Sequence, residues 1–211
     1  MKIAIIGSGN VGTSLATAAV KAGHDVTLTS ADGTQAAQAA AATGASAATS
    51  NAEAASGADI VILAIPAGAA AGVADEIAPQ LGGAVLVDTT NPVNATFDDL
   101  TTSGRSAAED LQDRLSGIPV VKAFNTVFAG RHANPSEGDL ALDAFIAGDD
   151  DDANARVAGL AESLGYRPVV IGRLRFARAL EEMAFLNISL NATNGWVWQS
   201  AWTLVGPTNA A

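Results

Sequence analysis

The sequence contains no cysteine and few aromatic residues, and both shortages restrict what the protein can do. Without cysteine the chain has no disulfide, no thiolate metal ligand and no cysteine nucleophile. Aromatic residues make up 5% of the chain, and its three tryptophans all fall near the C-terminus. A chain without cysteine suits a reducing compartment, so we expect a cytoplasmic protein.

Basic residues are also scarce, with 11 lysines and arginines against 22 aspartates and glutamates and a formal net charge of −11. Between Lys21 and Arg105 the sequence has no lysine or arginine. A strongly acidic surface repels nucleic acids and anionic membranes, so we expect neither as a partner. This composition suits a high-salt cytoplasm, although a GC-rich genome produces the same bias.

No apolar run is long enough to cross a membrane. The longest, residues 60–74, contains Pro66 and Gly68 and lies between Asp59 and Asp75. The N-terminal methionine leads directly into the first predicted strand, so we expect no signal peptide. With 211 residues, 49% of them hydrophobic, the chain can form one α/β domain and a small appendage.

A glycine motif near the N-terminus is the strongest functional signal. Residues 3–6 are an apolar run typical of a strand buried on both faces, and Gly7, Gly9 and Gly12 follow with the spacing G-x-G-x-x-G. In dinucleotide-binding folds the first glycine permits a tight turn, and the second lets a pyrophosphate approach the backbone. The third lets the next helix pack closely against the strand. That helix begins here at once, and its N-terminus would offer N–H groups to the phosphates.

Predicted strands and helices alternate as far as residue 171, which indicates an α/β fold. This order predicts a doubly wound, parallel Rossmann sheet in residues 1–171. For residues 172–211 we predict a small C-terminal helical subdomain that covers the cleft and supplies a homodimer contact. Trp198 and Trp202 would share a face of that helical segment. Their rings would either stack on a cofactor or belong to a core or dimer face.

Several acidic residues invite a functional interpretation. Asp32 lies where dinucleotide-binding folds place an acidic residue on the ribose 2′-hydroxyl, but Asp-Gly is equally typical of a turn. Residues 149–152 are four consecutive aspartates ahead of a predicted helix, where capping is a better explanation than metal binding. Ser106 and Glu109 form a capping box, which accounts for Glu109 without a catalytic role. We therefore predict no metal site and no catalytic side chain.

The combined motifs resemble the coenzyme F420-dependent NADP oxidoreductase family, and through it the cytoplasmic domain of the STEAP ferric reductases. The likeness extends over nearly the whole chain, and the motifs in this order are more specific than the glycine motif alone. The matching stretches are residues 5–12, 64–66, 88–92, 106–109, 121–126, 148–150 and 179–181.

The resemblance implies direct hydride transfer between nicotinamide C4 and the C5 atom of a deazaflavin, in a cleft between the sheet and the C-terminal helices. The expected partners are small-molecule redox cofactors: NADP or NAD, with coenzyme F420 or a flavin as the second ring. One departure concerns the choice of dinucleotide. NADP-binding members place Ser-Arg after the second strand, whereas Ala31 and Asp32 follow Ser30 here. These residues favour NADH, or weak discrimination, over NADPH.

The predicted cofactor contacts come from the glycine turn and from the carboxyl ends of the strands, where ligands of open α/β sheets bind. Two other functions remain open: a non-catalytic NAD(P)H-binding module or redox sensor, and a dehydrogenase of hydroxy acids or imines. For the latter the tail is short, and Lys122 is the one candidate catalytic lysine. The predicted contact residues are Gly7, Ser8, Gly9, Asn10, Val11, Gly12, Thr29, Ser30, Asp32, Ala64, Ile65, Pro66, Asn91, Pro92, Ala123, Asn125 and Thr126.

Overall fold

The computed structural model describes residues 1–206, and its main feature is an eight-stranded, mostly parallel sheet with helices on both faces. The strands of this sheet are β1 (Lys2–Ile6), β2 (Asp25–Thr29), β3 (Ser46–Ala47), β4 (Ile60–Leu63), β5 (Val85–Asp88), β6 (Val120–Lys122), β9 (Asp143–Gly148) and β10 (Arg167–Gly172). A separate hairpin contains β7 (Ser136–Glu137) and β8 (Leu140–Ala141). The helices are α1 (Asn10–Lys21), α2 (Gly33–Thr43), α3 (Asn51–Ala55), α4 (Ala67–Ile77), α5 (Ala107–Arg114), α6 (Ala129–His132), α7 (Asp151–Ser163) and α8 (Ala177–Asn194).

The strand order is β10-β9-β6-β5-β4-β1-β2-β3, which confirms the doubly wound Rossmann-like sheet. The prediction of an entirely parallel sheet was wrong at one edge, where β9 pairs antiparallel with β6 and β10 follows the direction of β9. A parallel neighbour requires a long crossover, usually through a helix packed on the sheet. After β6 the chain instead passes through the four-residue α6 and the β7–β8 hairpin, and β9 enters from the opposite end.

The core has two layers, one on each face of the sheet. Ile3 and Ile5 of β1 point into one layer, and Ala4 and Ile6 point into the other. Both sets are almost completely buried, as expected for central strands of a parallel sheet. The buried faces of α1 and α4 are rich in alanine, so these helices can lie close to the sheet.

The tail departs from the predicted continuous helix. Helix α8 ends at Asn194, and Gly195 adopts the left-handed conformation (φ 64°) that commonly terminates a helix. The next residues turn back along α8, where Ser200 accepts a hydrogen bond from Asn191 Nδ2 (2.6 Å) and donates one to Asn187 Oδ1 (2.7 Å). The prediction that Trp198 and Trp202 share one face of a helix was therefore wrong, because neither residue lies in a helix. Residues 207–211 of the predicted C-terminal segment lie outside the described residues.

Local capping accounts for the acidic features, as predicted. Asp150 accepts a hydrogen bond from the Ala153 N–H (2.7 Å) at the start of α7. Ser106 and Glu109 form both hydrogen bonds of a capping box at the start of α5. Within residues 1–206, no helix has both the length and the apolarity needed to cross a membrane.

Candidate dinucleotide site

The carboxyl ends of the central strands form a single edge. Ile6, Leu63, Asp88 and Lys122 occupy one row of paired positions across β1, β4, β5 and β6. Because these strands are parallel, the residues that follow them emerge together on this edge. The predicted contact residues of the glycine turn and of the segments 64–66, 91–92 and 123–126 therefore all begin at one crevice.

Two glycines of the turn are required by the packing of the backbone. Gly7 has a φ of +110° and donates its N–H to Thr29 O (2.9 Å). A Cβ on Gly7 would collide with the carbonyl oxygen of Ala64, and a Cβ on Gly12 would collide with that of Gly7. These glycines thus let β1, β4 and α1 approach one another, as the motif predicts.

Gly9 differs from both, because the space beside it is open. No atom of residues 1–206 outside its immediate neighbourhood lies within 4 Å of the position that a Cβ would take. Gly9 is the N-cap of α1 and supplies no side chain to the first N–H groups of the helix. Nearby, Ser8 Oγ is buried and has no hydrogen-bond partner among the described residues. Open space, free helix N–H groups and an unpartnered hydroxyl fit a bound pyrophosphate.

A cavity of about 500 Å³ extends from this turn along the β2 and β4 ends, a volume typical of small-molecule sites. Its predicted lining residues are Gly7, Ser8, Gly9, Thr29, Ser30, Ala64, Ile65 and Pro66. Sequence reasoning missed a further set, Ala31, Thr49, Ser50, Asn51, Ala69, Val73 and Glu76. The helical spacing of Ala69, Val73 and Glu76, directly after a strand that ends at the crevice, was the signal that could have revealed part of it.

Asp32 stands outside this lining. Its side chain is the N-cap of α2, where Oδ1 accepts hydrogen bonds from the backbone N–H of Thr34 (2.8 Å) and Gln35 (3.4 Å). The turn-and-cap interpretation therefore describes its contacts in the structure. Contact between Asp32 and a ribose stays a prediction.

An amide pair occupies the ends of β5 and β6. Asn125 Nδ2 donates to Asn91 Oδ1 (2.9 Å) and to the Leu180 carbonyl of α8 (3.0 Å), while Asn91 Nδ2 donates to Asn125 O (2.9 Å). Asn125 Oδ1 is buried without a partner in the described part of the chain. Contact between this amide and a nicotinamide carboxamide stays a prediction. Ala123 and Thr126 beside it are buried, and Pro92 lines a smaller cavity against α4 and α5.

A fully buried lysine lies directly beneath the amide pair. Lys122 Nζ donates to Asp88 Oδ2 (2.8 Å), to Glu181 Oε1 (2.9 Å) and to the Thr90 carbonyl (2.6 Å). The side chains of Lys122, Asp88 and Glu181 all have no exposure to solvent. The network joins β5, β6 and α8, and Glu181 also accepts the Ala107 N–H at the start of α5 (3.0 Å).

The electrostatics of this cluster keep Lys122 charged. Burial by itself lowers the pKa of Lys122, but the attraction of Asp88 and Glu181 outweighs it and raises the pKa above the usual value. Burial raises the pKa of Glu181, and Lys122 and the Ala107 N–H oppose that effect. Lys122 is therefore a buried cation committed to holding elements together, and it is not available as a catalytic base.

Neither histidine lines the cavity beside the glycine turn. His132 is completely buried, contacts the Tyr166 hydroxyl through Nδ1 (2.6 Å), and has its pKa lowered to about 4 by burial. His24 follows α1 at the amino-terminal edge of the sheet, where Nε2 lies 2.8 Å from Ser163 Oγ.

Comparisons with known proteins show which sequences and structures the chain is similar to. Residues 2–92 match the family model described as NADP oxidoreductase, coenzyme F420-dependent. The F420-dependent NADP reductase of Methanothermobacter thermautotrophicus is 32% identical over 92% of this chain and 90% of its own length. A solved structure described as a candidate F420-dependent NADP reductase from Arthrobacter sp. FB24 superposes with a TM-score of 0.85 at 27% identity, covering 97% of this chain and all of that one. The metalloreductase STEAP3 of Rattus norvegicus is 31% identical over 85% of this chain and 36% of its own length.

Substitutions in the glycine turn can distinguish an effect on dinucleotide binding from an effect on folding. We expect Gly9→Ala to lower dinucleotide affinity at least tenfold in a fluorescence titration with NADH, because the new methyl group enters the open space. Its unfolding free energy should stay within about 1 kcal/mol of wild type. Gly12→Ala, the matched control, should lose about 1–3 kcal/mol of stability or more, because its methyl group meets a backbone carbonyl. Unchanged affinity in Gly9→Ala would place the phosphates elsewhere.

We expect Lys122 to make a large contribution to the free energy of unfolding. Lys122→Met leaves the carboxylates of Asp88 and Glu181 buried without a cation, and we expect a loss of about 3–5 kcal/mol in urea unfolding. Adding Glu181→Gln should recover part of this loss, because it removes one unpaired charge. The exposed Lys21→Met serves as the control and should stay near wild type. A Lys122→Met protein as stable as this control would contradict the role assigned to the network.

Proposed function

The chain belongs to the family of coenzyme F420-dependent NADP oxidoreductases, and on this premise we propose that it is an enzyme that transfers a hydride between a nicotinamide dinucleotide and F420. The observation that carries the proposal is the open space at Gly9, bordered by uncapped N–H groups of α1 and continuous with a 500 Å³ cavity. The family's pair of cofactors supplies the chemistry, with the hydride passing between nicotinamide C4 and deazaflavin C5.

The role of the protein in such a reaction is to hold two rings in register, since positioning can account for most of the acceleration. The glycine turn would bind the pyrophosphate, and the cavity beyond it would hold the adenosine half. The Asn91–Asn125 pair would orient the nicotinamide carboxamide, with Asn125 Oδ1 accepting from its amide. Asn125 is itself fixed to α8 through the Leu180 carbonyl (3.0 Å), so its position depends on the docking of that helix.

We further propose that the segment 172–211 covers the cleft at the nicotinamide end. Its described part packs onto the segment that follows β6: the Trp198 ring meets Phe128 edge-on at 5.5 Å, and Gln199 O accepts from Arg131 (3.1 Å). Trp202 Nε1 donates to the Met183 carbonyl (3.0 Å) and fixes the returning tail to α8. These contacts support a cover formed by the tail itself. The cytoplasmic location expected from the sequence stays a prediction.

Reduction of F420 is the direct test, followed as loss of its visible absorbance with NADH or NADPH as donor. We expect turnover with F420 that exceeds turnover with FAD or FMN. Asn125→Ala should lower kcat tenfold or more through misplacement of the nicotinamide, while NADH affinity falls far less, because Asn125 lies outside the cavity for the adenosine half. Tight dinucleotide binding with no reduction of F420 or of any flavin would favour the non-catalytic binding module.

We also propose a homodimer built on the exposed apolar side chains of the tail. Leu186 on α8 is 51% exposed, and Trp196 and Val197 after the helix are 48% and 79% exposed. Several large apolar side chains exposed in one segment favour an interface, and a second copy of the same chain is the commonest partner.

Light scattering at micromolar concentration tests the dimer, and we expect twice the mass of one chain. Leu186→Glu should shift the equilibrium toward monomer, because it places a charge in the apolar surface. Leu140→Glu, at an exposed leucine on the β7–β8 hairpin, is the matched control and should leave the mass unchanged. A monomeric wild type, or equal effects of both substitutions, would reject the proposed interface.

A further inference from the structure

The cavity proposed to hold the adenosine half has one carboxylate and no cation in its described lining, in a family whose members are named for NADP. All of its lining residues lie between positions 6 and 76, and the sequence has no lysine or arginine from 22 to 104. The one charged side chain in the lining is Glu76, whose Oε2 accepts a hydrogen bond from Asn51 Nδ2 (2.9 Å). A 2′-phosphate bound here would meet a carboxylate and neutral hydroxyls.

Three arginines outside this stretch illustrate that other basic side chains do not reach the cavity. Arg105 pairs with Asp113 (2.6 Å), and Arg131 pairs with Glu137 (2.9 Å). Arg114 does contact α4, through Asp75 (3.1 Å), but it lines a different cavity, between α4 and α5. Within residues 1–206, none of these guanidinium groups lines the adenosine cavity.

Helix α2 begins two residues after Ala31, which lines the cavity, so its N-terminus is a further candidate partner for a phosphate. The Asp32 carboxylate already occupies it by accepting the N–H groups of Thr34 and Gln35. A phosphate at this place would have to displace a carboxylate and would be repelled by it. The N-terminus of α1 is different, because Gly9 leaves it uncapped by any side chain.

We infer that this pocket selects a dinucleotide with a free ribose 2′-hydroxyl, so that NAD(H) is preferred over NADP(H). The inference rests on the proposed function for the identity of the ligand and concerns its adenosine half alone. Ser30 and Ala31 line the cavity at the β2 end. The uncharged Ser30 hydroxyl suits a ribose hydroxyl, and Ala31 supplies nothing to balance a phosphate that carries close to two negative charges.

Binding measurements test the preference without any hydride transfer. We expect NADH to bind at least tenfold more tightly than NADPH in fluorescence titrations, because one charge-assisted contact accounts for roughly one to two decades of affinity. AMP should likewise bind more tightly than adenosine 2′,5′-bisphosphate, which differs from AMP by the 2′-phosphate alone. NADPH binding equal to or tighter than NADH binding would overturn the inference.

A single substitution tests whether Ala31 lies at the position that sets the preference between NADH and NADPH. Ala31→Arg supplies the missing cation at the cavity, and we expect it to raise NADPH affinity about tenfold while NADH affinity changes much less. Ala37→Arg adds the same charge to an exposed position of α2 outside the cavity, so it should leave the NADH-to-NADPH ratio near wild type. Equal ratios in both variants would show that Ala31 does not face the ribose and would overturn the assignment.

The outcome is separable from that of the proposed function. Selective NADH binding without F420 reduction would support the pocket assignment and reject the enzyme. F420 reduction with a preference for NADPH would support the enzyme and reject the pocket assignment.

Discussion

The buried ion network of Asp88, Lys122 and Glu181 connects the parts of the molecule that form the crevice. One ammonium group joins the ends of two neighbouring strands to α8, and Glu181 extends the connection to the N-terminus of α5. Charges with no solvent exposure are costly to bury unless every partner is in place. The network therefore favours the one position of α8 in which all of its partners meet. Asn125 donates to the Leu180 carbonyl of α8, so its side chain is positioned together with that helix.

The opposite half of the crevice depends on close backbone contact rather than on charge. Gly7 and Gly12 let β1, β4 and α1 approach to distances that any side chain would prevent, and Gly9 leaves room beside the helix N-terminus. The backbone-lined turn lies between the polar amide pair on one side and, on the other, the cavity whose lining includes Glu76. This arrangement suits the proposed ligand, which has a charged centre and two different ends.

Several features were predicted from local signals that also act in the folded protein. The capping box at Ser106 and the cap at Asp150 depend on neighbours within a few residues, so their sequence patterns were sufficient. The spacing of the glycines was equally recognisable in the sequence, although Gly7 is required by contacts with the distant residues Thr29 and Ala64. The course of the tail was not predictable in this way. The apolar periodicity continued past Gly195, but the helix ends there, and the returning chain is held to it through Ser200, which donates to Asn187 Oδ1 and accepts from Asn191 Nδ2.

Residue type and spacing alone were enough to predict the alternating strands and helices, the glycine turn, the family and the lack of basic residues from 22 to 104. The reversed direction of β9 and β10, the ion pairing of Lys122 in the core and the position of Glu76 in the cavity lining became visible only in the folded chain. Those outcomes depend on contacts between residues far apart in the chain. Lys122 and Glu181 are 59 positions apart, and no local pattern relates them.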